Sequence, residues 1–83
     1  MSCIIVERTF ETALTQKDLD AAMERLGSCL DKYNARWVHS YWSNDRKRMV
    51  CEYEALDAES VRQLQQEAQA PFDRVWVADI LRN

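Results

Sequence analysis

Eighty-three residues, 47% of them hydrophobic and only one each glycine and proline, describe one folded domain over residues 1–83, not a disordered or low-complexity chain. The net charge of −3 argues against a nucleic-acid partner, because phosphate binding draws on a basic surface. No apolar run approaches a membrane span, and the opening MSCIIVERTF lacks the basic region and long apolar core of a signal peptide.

Cys3, Cys29 and Cys51 are odd in number and widely spaced, with no CxxC pair. That pattern is neither a disulfide framework nor a zinc ribbon, and it predicts a reduced, cytoplasmic protein. A domain of this size buries roughly 60–65% of the surface its unfolded chain exposes. Ordering the chain offsets most of what such a core provides, so self-association would help.

In chain order, residues 3–10 alternate as a strand, with Ile4, Val6 and Arg8 on one face and Ile5, Glu7 and Thr9 on the other. Thr15-Gln16-Lys17-Asp18 resembles a capping box. Leu19, Ala22, Met23, Leu26, Leu30 and Tyr33 then recur at helical spacing, as an apolar stripe opposite charged residues. Gly27 interrupts this helix, either at a bend or where a bulky sheet residue comes close, and Asn34 is a left-handed stop.

Residues 36–53, RWVHSYWSNDRKRMVCEY, alternate on both sides of the polar turn Ser43 to Lys47 and predict a hairpin. It carries the single histidine, His39. Asp57 can cap a second helix over residues 58–69, which Pro71 ends, and residues 74–81 form a last strand. The β-α-β-β-α-β order predicts an α+β, ferredoxin-like plait with antiparallel sheet order 4-1-3-2 and both helices on one face.

One sheet face is then uncovered. Trp37 and Trp42 have opposite parity, and the last strand is apolar on both faces, so that open face cannot be wholly polar. Two such sheets meeting face to face, as in dimeric α+β barrels, would cover it.

Chemistry converges on the hairpin. An odd-length loop would place His39 directly opposite Cys51, close enough to share an ion or a proton, and Glu7 on the neighbouring first strand could supply a third group. Imidazole, thiolate and carboxylate suit nickel, zinc or copper better than magnesium or calcium. Cys51 can equally be a small core residue and His39 a satisfied, partly buried one. Tyr41 and Tyr53 could place hydroxyls in a pocket or simply pack. There is no glycine-rich phosphate loop and no GxSxG, and KRMVCEY does not match the RNA-binding pattern of such folds.

The segments IIVERTF, WVHSYWSNDRKRMVCEYEA and VRQLQQEA, followed by Pro71, resemble the ferredoxin-like family filed as domain of unknown function 4242, also labelled nickel-binding protein-like. The resemblance spans nearly the full chain and implies a ferredoxin-like dimer. Glu7, His39, Ser40, Tyr41, Asp45, Cys51 and Tyr53 stand where that family's pattern has the same residue types. The chain departs from it at Leu64-Gln65, where the family tends to show His-Ala, and near Val77, where it tends to show Glu.

The leading expectation is a cytoplasmic homodimer that holds a divalent transition ion such as nickel, or a small ligand, in the dimer's pocket. Glu7, His39 and Cys51 would be the metal ligands, and His39, Ser40, Tyr41 and Tyr53 the ligand contacts, with neither nucleic acid nor membrane as partner. The alternative is a cofactor-free dimeric α+β barrel enzyme, an isomerase, cyclase or oxygenase acting on a small hydrophobic substrate. His39 would then be the general base.

Overall fold

The computed structural model describes all residues from Met1 to Asn83. Its elements are β1 (Ser2–Thr9), α1 (Gln16–Cys29), β2 (Arg36–Trp42), β3 (Arg48–Ala55), α2 (Ala58–Glu67) and β4 (Arg74–Ala78). The four strands form one antiparallel sheet in the order β2-β3-β1-β4, which is the expected ferredoxin-like plait. No helix is long and apolar enough to cross a membrane.

Local chemistry sets the helix ends. The Thr15 hydroxyl accepts from the Asp18 N–H, and the Asp57 carboxylate accepts from the Ser60 N–H, satisfying donors that each first turn leaves free. That bond holds the Asp57 carboxyl below its ordinary value, so its stabilising contribution is present at neutral pH and is lost as acid titrates through the lowered pKa. Asn34 is left-handed at φ 52°. α2 stops at Glu67, two residues earlier than expected, because Gln69 turns left-handed at φ 56° before Pro71 is reached. β4 stops at Ala78 rather than Leu81, since Ala78 pairs with Cys3 and β1 begins only one residue earlier.

The core lies between the sheet and the helices. Ile4 and Val6 of β1, Met49, Cys51, Tyr53 and Ala55 of β3, Val75 of β4 and Val61 of α2 form one buried cluster. Leu26 and Cys29 of α1 meet Leu64, Ala68 and Ala70 in a second. The helix-facing parity of β1 is therefore the one that also carries Arg8, which is buried.

The hairpin register differs from the expected one. Ser43 N–H bonds to the Arg48 carbonyl and leaves the even-length segment Asn44 to Lys47 as the loop. Asp45 organises it, accepting from the Ser43 hydroxyl and the Lys47 N–H, while Arg46 takes φ 64°. Ser40 thus opposes Cys51, and Tyr41 opposes Val50. An irregularity between Trp37 and His39 then shifts the pairing, so that Trp37 opposes Tyr53 and His39 opposes Glu52. The expected His39–Cys51 pair does not form. The same shift cancels the parity contrast of the two tryptophans, because both now align with core-facing partners, Tyr53 and Met49.

Gly27 is exposed, and a Cβ built there meets nothing within 4 Å, so no sheet residue comes close. Its φ is not positive. Gly27→Ala should therefore stabilise the protein by about 0.5–1 kcal/mol through the helix interior and the unfolded chain. Urea denaturation would show a higher midpoint; a lower one would mean that the glycine serves a contact absent from the monomer.

Candidate functional site

The face of the sheet away from the helices gathers the polar side chains of the alternate parity. Pairing aligns Tyr41, Val50 and Glu7 across β2, β3 and β1, and beside them His39, Glu52, Ile5 and Trp76 across all four strands. His39 Nε2 lies 3.3 Å from Glu52 Oε1, with the histidine about half exposed. The Tyr41 ring stands edge-on to the His39 ring, with centroids 5.2 Å apart. On the other side of β3, Trp76 Nε1 donates to Glu7 Oε2 at 2.7 Å, and Arg74 Nε sits 3.8 Å from the same oxygen. Glu7 is thus held by its own chain and does not reach toward His39.

The remaining expected site residues are distributed differently. Cys51 is 3% exposed, on the helix side of the sheet, with Arg8 Nη2 3.7 Å from its sulfur. The proposed ligand set Glu7, His39 and Cys51 is therefore split between the two faces, and in one chain no three His, Cys, Asp or Glu side chains converge on a metal position. Tyr53 is a core residue at 2% exposure; burial pushes its phenol pKa up, while Gln65 and Arg8 pull the other way. Ser40 accepts from Trp37 Nε1 at 2.9 Å, a contact within β2 itself.

What the open face does offer is a donor pair. An imidazole nitrogen and a carboxylate oxygen bound to one first-row ion at about 2.0–2.2 Å each stand roughly 3 Å apart. The His39–Glu52 spacing meets that requirement, so each chain carries half of a nitrogen–oxygen site. Burial, then the neighbouring Glu52 carboxylate, push the Cys3 thiol pKa up in the metal-free chain. Glu52 was missed at the sequence level because an odd loop puts it on the wrong face. The EY dipeptide after Cys51 carried no other signal.

Arg8 was the second omission, although its parity with Ile4 and Val6 was plain. It lines a mostly apolar cavity of about 350 Å³ between α1 and the sheet, together with Phe10, Leu14, Leu19, Met49 and Cys51.

Residues 5–77 match the family described as nickel responsive protein SCO4226-like. That match carries the nickel-responsive designation and does not show the domain-4242 label. The crystal structure of SCO4226 from Streptomyces coelicolor A3(2) superposes with a TM-score of 0.86, covering 98% of this chain and 100% of that one at 14% identity, a likeness of fold. No curated protein matches the chain significantly. With a match that runs from β1 into β4, the chain belongs to the SCO4226-like family of nickel responsive proteins.

Proposed function

We propose that this protein works as a homodimer that holds a divalent transition ion of the nickel class between the open sheet faces of two copies. His39 and Glu52 of each copy supply the donors. The observation that carries this reading is the His39–Glu52 pair, an imidazole and a carboxylate at chelating distance on a face without helices. One chain provides too few donors for an ion of this kind, and a second copy related by a two-fold axis doubles them. The nickel-responsive designation of the family supports the choice of ion. The expected ligands Glu7 and Cys51 have no part in it, the first being held by Trp76 and the second lying in the core. Three free cysteines fit a reducing, cytoplasmic setting.

Calorimetric titration of untagged protein with nickel tests the reading. His39→Gln should weaken binding by at least about tenfold while costing about 1 kcal/mol or less of stability, because the ring is half exposed. Cys51→Ser should bind nickel as the wild type does. Equal affinity in His39→Gln and wild type would remove His39 from the site and the proposal with it.

A further inference from the structure

The cavity between α1 and the sheet has an unusual wall. Arg8 is 7% exposed, yet no carboxylate pairs with it. Its guanidinium donates to the Pro71 carbonyl at 3.1 Å, to Gln65 Oε1 at 3.0 Å and more weakly to Cys51 Sγ at 3.7 Å. None of the three acceptors is a carboxylate, and the fork has more N–H donors than these bonds use. Gln65 is itself fully buried, its oxygen committed to Arg8 and its Nε2 left without a partner. A buried cation without a counter-charge is costly, and an anion held in the adjacent cavity would offset that cost.

The rest of the wall specifies what kind of anion. Of the charged residues that line the cavity, Arg8 and Arg25 are basic and Asp18, at the exposed end, is acidic, so the balance is one positive charge. Ten of the fifteen lining residues are hydrophobic. Leu19 and Met23, from the apolar stripe of α1, are partly buried: each packs against the core on one side and lines this space on the other. A volume of about 350 Å³ lies at the lower end of the range of small-molecule sites.

We infer that this cavity binds a small monocarboxylate with an apolar body, its carboxylate on Arg8 and its hydrocarbon part along Leu19, Met23 and Met49. A planar guanidinium matches a carboxylate bidentately, and a net balance of one positive charge in a mostly apolar wall suits a monoanion better than a phosphate dianion. The site lies on the opposite side of the sheet from His39 and Glu52, so its occupancy is independent of the nickel reading.

The test is calorimetric titration of the untagged protein with octanoate and, as the neutral analogue of equal length, octanol. Wild type should bind octanoate at least roughly tenfold more tightly than octanol, the gain expected of a desolvated charge-assisted contact. Arg8→Met keeps the volume and removes the charge, and should abolish that preference. Ala22→Phe, from the α1 wall, should block both ligands with Arg8 intact, which keeps the test decisive if Arg8→Met does not fold. Octanoate bound no better than octanol by the wild type, or bound equally by wild type and Ala22→Phe, would overturn the inference.

Discussion

Tyr53→Ala is expected to remove about 3–5 kcal/mol of stability, the range for truncating a fully buried aromatic side chain. A small domain holds about 5–10 kcal/mol in total, so the variant should be substantially unfolded at physiological temperature. Tyr53 is 2% exposed, in the cluster that joins Ile4, Val6 and Val61, and opposes Ile4 across the β1–β3 pair. Removing the ring leaves a void that a sheet, with its spacing fixed by ladder hydrogen bonds, cannot close. Tyr53→Phe should cost far less, because it keeps the ring and gives up only a hydroxyl near Gln65 and Arg8. Guanidinium denaturation of both variants checks this. A Tyr53→Ala protein with wild-type stability but altered ligand binding would return Tyr53 to the pocket contacts expected from the sequence.

Ile5→Glu is expected to split the proposed homodimer while leaving the monomer folded. Ile5 sits on β1, one of the two central strands, paired with Glu52 on one side and Trp76 on the other. The open face also exposes Trp76, its neighbour on β4, at 43% and Tyr41, on the opposite edge strand β2, at 69%, mixed with the charged pairs His39–Glu52 and Glu7–Arg74. A carboxylate at that position would be desolvated on association and would face the acidic residues of both copies, at a cost of about 3–5 kcal/mol, or more than a hundredfold in dissociation constant. In the monomer it remains in water and adds only a like-charge cross-strand neighbour to Glu52, worth about 1 kcal/mol or less. Light scattering should report about half the wild-type mass with unchanged circular dichroism, and nickel binding should fall with the dimer. A dimeric Ile5→Glu would place the interface elsewhere.

The plait was legible because each level of the sequence agreed. The Thr15 and Asp57 caps, the Asn34 stop and the alternation of β1 and β3 all recur in the structure. The site was less legible, for two physical reasons. Strand alternation has a period of two, so one residue of error in a loop inverts every face assignment beyond it, and the four-residue loop held by Asp45 did so for His39 and Cys51. The irregularity between Trp37 and His39 then changed parity again within β2, and nothing in RWVHSYW marks it, since it contains neither glycine nor proline. Arg8 was hidden differently. A basic residue on an apolar face reads as one that must turn outward, and here Gln65, Pro71 and Cys51 hold it inside.

Native mass spectrometry of untagged protein with added nickel tests the central claim most directly, because one spectrum reports assembly and metal together. The expected result is a nickel-bearing dimer of the 9.8 kDa chain, with the residual monomer metal-free and His39→Gln forming dimers that carry no nickel. Nickel retained on the monomer, or a chain that stays monomeric at micromolar concentration, would contradict a site shared between two open sheet faces.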